Sequence, residues 1–223
     1  MIRYKNLIII GTSHIAVSSI KEVKKIILDE EPGFVALELD KERLFSLMSN
    51  KKRKVKLKDI MKLGIGGYLF AVFGQWIEEK LGKMVGTKPG GEMRIAVVSA
   101  AKVKAKIALV DQKIQITIKK LMKGITWKEK FRFIGDIIKG FFGKGDVEKF
   151  DLNKVPSEEL IGKMIKSVEK RYPTVYKVLI DDRNKYMANK LYKLMEKFPE
   201  EKIVAVVGAG HEEGMLEEIK RYK

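Results

Sequence analysis

Cysteine is absent from this chain of 223 residues. That removes disulfides, thiolate metal ligands and a cysteine nucleophile, and it gives no sign of an oxidising compartment. Histidine is nearly as scarce, with two copies, and proline has five. Any imidazole chemistry must use those two histidines. Long hydrophobic runs are also missing. The most apolar stretch, Leu63 to Trp76, is broken by glycine and falls short of the ~20 apolar residues that span a bilayer; it reads as a buried or membrane-grazing helix. The N-terminus enters a strand-like segment at once, which leaves no room for a signal peptide. The expected location is cytoplasmic, with association at a membrane surface left open.

What is present is a folding composition, with 45% hydrophobic and 34% charged residues. The length suits one α/β domain over 1–223. Lysine and arginine outnumber aspartate and glutamate 46 to 29, a net charge of +17, which attracts polyanions and makes an anionic membrane surface a candidate partner. The densest basic run, Asn50 to Lys58, has no interleaved aromatic residues for base stacking. This argues against nucleic acid as the partner.

Leu7 to Ile10 is a continuous apolar run ending at Gly11, the pattern of a strand buried on both faces. Ile20, Val23, Ile27 and Leu28 then recur at helical spacing, with Ser18 or Ser19 as cap and Pro32-Gly33 as stop. Phe34 to Asp40 follows as a second strand. A β-α-β unit of this kind implies a parallel sheet. Later come a helix entered at Pro89, a strand at Lys106 to Asp111, a long helix from Tyr172 to Phe198 and a strand at Lys202 to Val207. The predicted fold class is α/β, a mainly parallel central sheet of β-α-β units flanked by helices, with 41–87 and 113–171 as helical elaborations.

Both histidines occupy one local pattern, Gly11-Thr-Ser-His14 and Gly208-Ala-Gly-His211, each after a β-branched apolar run. In parallel sheets ligands bind at the carboxyl ends of strands. His14, Glu38, Asp111 and His211 all fall at such ends. Two imidazoles with nearby carboxylates suit a divalent transition metal such as Mn, Co, Fe or Zn, which would acidify a bound water. Two hydrogen-bonded loop histidines are the alternative. The Gly-Ala-Gly-His-Glu-Glu-Gly stretch lacks the third glycine of a dinucleotide fingerprint.

Alternation puts Glu38 on one strand face with Ala36 and Asp40, as a ligand or general base or as a strand-end residue reaching solvent. Asp182 and Arg183 fall within an apolar stripe of Val175, Val178, Leu179, Tyr186, Met187, Leu191 and Leu194. Burying them unpaired would cost several kcal/mol. They therefore read as a structural ion pair, or as a polar cavity wall in which arginine holds a substrate carbonyl or carboxylate.

The segments GTSHIAVSSIKEV, FVALELDKERL, KPGGEMRIAVVSAAKVKAKIALVDQKIQITIKK, VLIDDRNKYMA and IVAVVGAGHEEGM, about half the chain, resemble in this order the TraB family, which includes the bacterial pheromone-shutdown proteins. The resemblance implies kinship with the Tiki proteins, regarded as metal-dependent proteases, and with the erythromycin esterases. It implies a metal (Mn, Co or Zn) held by His14, His211 and Glu38, with Glu38 and Arg183 as catalytic residues. Glu92 and Tyr186 join them as matches to the family's motifs, without an assigned step, and Asp182 joins them as the carboxylate beside Arg183. Two departures stand out. Asp181-Asp182-Arg183-Asn184 replaces the usual Asp-Glu-Arg-Asp, and Gln112 stands where arginine is common; a shortened carboxylate arm weakens a site that needs close geometry. Archaeal-type members often continue into membrane-spanning segments, so the resemblance implies a short form or part of a longer chain.

The expected function is a metal-dependent hydrolase, a peptidase acting on peptide or membrane-protein segments. The alternative is a non-catalytic scaffold that binds a peptide or a membrane partner through a basic surface. Exposed apolar helices make a homodimer the expected assembly.

Overall fold

The two most strand-like runs, at the opening and near the close of the chain, lie side by side in the middle of one sheet. The structure is a computed structural model and describes residues 1–12, 17–49, 90–141 and 158–222. Among these, five strands form a single sheet: β1 (Ile2–Tyr4), β2 (Leu7–Thr12), β3 (Phe34–Leu37), β4 (Lys106–Leu109) and β5 (Ile203–Gly208), in the order β1-β2-β5-β3-β4. All neighbours are parallel except β1 against β2. The class is the expected one. Ala205 of β5 stands opposite both Ile9 of β2 and Ala36 of β3, which sets the register of the sheet's centre.

Helices α1 (Val17–Glu30) and α3 (Gly91–Lys102) cover one face, where Val23, Ile27, Met93, Ala96 and Ala100 pack on Ile8, Ile10, Val35 and Leu37. Helices α8 (Asp182–Lys197) and α9 (Glu212–Arg221) cover the other, with Met187, Leu191, Met215 and Ile219 on Leu7, Ile9, Ala36 and Val207. Covering both faces is what makes the central strands apolar at every position, since neither set of side chains meets water.

The remaining described helices are α2 (Lys41–Met48), α4 (Ile114–Gly124), α5 (Trp127–Phe141), α6 (Glu158–Arg171) and the short α7 (Pro173–Tyr176), which passes through a π turn at Lys177–Asp181 into α8. The elaboration expected over 113–171 contains α4, α5 and α6. Of the one expected over 41–87, α2 and Ser49 are described, and the rest lies outside the described residues, as do the basic run after Ser49 and Leu63 to Trp76. No described helix is long and apolar enough to cross a membrane.

Four details differ from the sequence reading. Strand β1 is an additional element, joined to β2 by a tight turn in which Lys5 has φ 50; its three residues carry too little pattern to detect. Ser18 and Ser19 lie inside α1 rather than capping it. Asp40 ends no strand: its carboxylate accepts from the backbone N–H groups of Glu42 and Arg43 and so caps α2. The strand predicted to reach Asp111 ends at Leu109, which leaves Asp111 in the loop beyond it.

Candidate functional site

Three strand ends and one helix start meet at the carboxyl edge of the sheet. Glu38 is the first residue past β3. Its backbone N–H donates to Val206 O at 3.2 Å, which holds its side chain over the end of β5, where Oε2 accepts the Gly208 N–H at 2.6 Å. Asp111 stands two residues past β4, and its Oδ1 accepts the backbone N–H of Gln112 at 2.8 Å. Arg183, in the first turn of α8, joins them. Its Nη2 donates to Glu38 Oε1 and, at 2.8 Å, to Asp111 Oδ2; its Nε donates to Asp111 Oδ1 at 3.3 Å. Nη1 donates to Leu179 O at 3.2 Å and to His211 Nε2 at 3.0 Å. Arg43 Nη1 closes the rear of the cluster, 3.0 Å from Asp111 Oδ2 and 3.2 Å from Glu38 O.

The side chains of Glu38, Asp111 and His211 are buried. Burial alone would pull the Arg183 pKa down, but the charges of Glu38 and Asp111 outweigh it and hold the guanidinium protonated far above neutral pH. His211 Nδ1 faces Asn184 Oδ1 at 2.7 Å. That oxygen can only accept, so Nδ1 carries a proton, and the guanidinium facing Nε2 can only donate, so Nε2 presents its lone pair to Arg183. The imidazole is neutral. Glu38 Oε1 lies 3.5 Å from the same Nε2.

The π turn explains why only one member of the Asp182-Arg183 pair faces inward. A π turn holds one residue more than an α turn and rotates everything after it by roughly 100°. The stripe read across Val175 to Leu194 is therefore interrupted, and α8 buries Asn184, Met187, Ala188, Leu191 and Met195. Asp182 is turned outward to Lys177 Nζ at 2.6 Å and Lys120 Nζ at 3.0 Å. Burial raises its pKa, and the two lysines lower it further than that. Tyr186 is 40% exposed, with Lys190 over its ring. Glu92 is buried in the first turn of α3, in the helix layer opposite α8 and α9. Gln112 is buried and donates to Thr117 Oγ1 at 2.8 Å.

His14 lies outside the described residues. The strands that lead to the two histidine turns are nonetheless hydrogen-bonded neighbours. Gly11 stands opposite Val207 and Thr12 opposite Gly208, and Ala209 N donates to Thr12 O at 2.9 Å. A cavity of about 470 Å³ opens beside the second turn, with Asn184, Gly210 and Gly11 in its wall and Ile161, Ile165 and Tyr176 across from them.

A family model described as TraB/PrgY/gumN matches residues 3–220. The chain belongs to the TraB/PrgY/gumN family. An uncharacterised protein of Methanocaldococcus jannaschii is 36% identical over 225 residues, covering 97% of this chain and 54% of that protein. TraB domain-containing proteins of Mus musculus and Homo sapiens are each 22% identical over 231 residues, covering 93% of this chain and 61% of theirs. The chain thus spans between half and two thirds of the length of these relatives.

Within this TraB-family chain, sequence reasoning missed two members of the cluster. Arg43 carried no signal beyond its place in FVALELDKERL, because an arginine in the first turn of an amphipathic helix reads as solvated. Asn184 was visible only as a departure from the family's aspartate. Among the described residues no group of three or more His, Asp or Glu side chains is arranged to hold a metal ion. The described donors do not fit a metal centre: His211 Nε2 and Glu38 Oε1 both face Arg183, and Glu38 Oε2 takes the Gly208 N–H.

Proposed function

We propose that this TraB-family chain is a hydrolase, a peptidase acting on peptide or membrane-protein segments at the cluster of Glu38, Asp111, Arg183, Asn184 and His211. The observation that carries the reading is the neutral, oriented imidazole of His211 beside a clamped guanidinium. Peptide as the substrate class comes from the resemblance to the Tiki proteins.

In this reading Arg183 Nη1 exchanges His211 Nε2 for the carbonyl oxygen of the scissile bond. The freed Nε2 takes a proton from water as that water attacks the carbonyl carbon. Negative charge develops on the oxygen held by Arg183, where a preorganised donor is worth most. Glu38 Oε1, already near Nε2, steadies the imidazolium, which then gives its proton to the leaving amine as the C–N bond breaks. Asn184 keeps the imidazole in one tautomer throughout. Asp111 and Arg43 hold the guanidinium fork in place.

A second reading, a non-catalytic scaffold, draws support from the saturation of Arg183: all three of its nitrogens already have partners inside the protein. Trp127 and Phe131, 72% and 68% exposed on α5, together with the charge of +17, would suit such a scaffold to an anionic membrane surface. A peptide library incubated with the protein and read by mass spectrometry separates the two. Cleavage that is lost in His211→Ala supports the hydrolase; retention of peptides without cleavage supports the scaffold.

A further inference from the structure

We propose that Arg183 takes the place of a metal ion in this site, so that the cluster assembles with a guanidinium as its cation and Glu38 and His211 do not ligate a metal. The inference deepens the hydrolase reading and rests on it for the role of the charge, but not for its test.

The argument is one of positions and charge. A first-row divalent ion binds imidazole through a ring lone pair and sits about 2.0–2.2 Å from each nitrogen or oxygen donor. The only lone pair that the His211 ring presents is at Nε2, because Nδ1 carries the proton that Asn184 accepts. That lone pair is directed at Arg183 Nη1, 3.0 Å away. An ion bound there would lie against the guanidinium, which Glu38 and the two oxygens of Asp111 hold in place.

Charge points the same way. Glu38 and Asp111 bring two negative charges to the cluster, Arg183 and Arg43 bring two positive ones, and His211 is neutral. These five side chains sum to zero charge, and a dication among them would add two positive charges beside two guanidinium groups, in surroundings where like charges within a few ångströms repel strongly. Removing Arg183 reverses the balance. Two carboxylates and an imidazole would then face one another with Arg43 as the cation of the described cluster opposing them, a donor set of the type that binds transition metals.

The test needs no substrate. Purified wild-type protein, stripped with chelator and titrated with Co²⁺, is expected to show no d–d absorption bands and no change in melting temperature. Arg183→Ala, confirmed folded by circular dichroism, is expected to develop both. Arg183→Lys, which keeps the charge, is expected to behave as wild type. Wild-type protein that binds Co²⁺ one to one, with bands that vanish in His211→Ala, overturns the proposal, whether or not Arg183→Ala folds. So does a folded Arg183→Ala that binds no Co²⁺, since the guanidinium would then be filling no ion's position. Failure of the hydrolase reading is seen separately, as absence of peptide cleavage.

Discussion

Arg183 Nη1 and His211 Nε2 meet at 3.0 Å, one from the first turn of α8 and the other from the turn after β5. The contact ties the tautomer of the imidazole to the orientation of the guanidinium. Asn184 fixes the first and Glu38 with Asp111 the second, so a change in any of the five side chains reaches the other four.

On a peptide that the wild type cleaves, His211→Ala is expected to lower kcat by about 10²–10⁴-fold, the range for loss of a general base. Unchanged circular dichroism and steady-state rates check this. Equal rates in variant and wild type would remove His211 from the chemistry.

Asn184→Asp places a negative charge on the proton-bearing side of the imidazole. That favours the imidazolium, so the acid limb of the pH–rate profile should move to higher pH while the alkaline limb stays. A purely structural role for Asn184 would lower the rate without moving the limb.

Arg183→Ala removes the guanidinium that both buried carboxylates, Glu38 and Asp111, share, and stripping one partner from a buried ion pair costs about 3–5 kcal/mol. Urea unfolding at neutral pH measures it. Arg183→Lys should recover part of the loss but not all, because a lysine ammonium cannot reproduce the fork that reaches Glu38, Asp111 and His211 together.

Asp182→Asn tests the opposite side of the π turn. Its partners are lysines on the surface, where such pairs contribute about 0–1 kcal/mol. Stability within that range and a rate within about twofold of wild type are expected. A large fall in rate would return Asp182 to the catalytic set.

Glu129 opens α5 with a capping box, accepting from Thr126 N at 3.0 Å and from Thr126 Oγ1 at 2.9 Å, and it also accepts from Thr174 N at 2.7 Å. Burial pushes its pKa up, but the hydrogen bonds from Thr126 and Thr174 push it down further, below the ordinary glutamate value. A group depressed on folding contributes stability that is present above its unfolded pKa and lost as pH falls through its folded pKa. Glu129→Gln should therefore cost about 1–2 kcal/mol near pH 7 and nothing in strong acid. Melting curves of the two proteins from neutral pH downward should converge. A constant difference would assign the effect to shape rather than charge.

Much of the fold was legible because it follows from local pattern. Runs such as Leu7 to Ile10 and Ile203 to Val207 are apolar at every position, which a sheet covered on both faces requires. Glu38 and His211, which the structure brings into one cluster, stood out because each is a polar interruption at the end of such a run. Arg43 was not, since its partner Asp111 is 68 residues away and nothing near Arg43 in the chain marks it. Asp182 and Tyr186 were drawn inward by a periodicity that a single π turn breaks, and one inserted residue leaves no trace in composition.

The order of residues by itself determined strands β2 to β5, the helical character of the segments between them, the glycines near the ends of β2 and β5, and the family, because all of these rest on local side-chain chemistry and spacing. Only the tertiary structure decided that the guanidinium of Arg183 lies between Glu38, Asp111 and His211. That outcome depends on the sheet order β2-β5-β3-β4 and on the rotation introduced at Lys177–Asp181. Contacts between distant residues are set by how elements pack, and packing is a property of the whole chain.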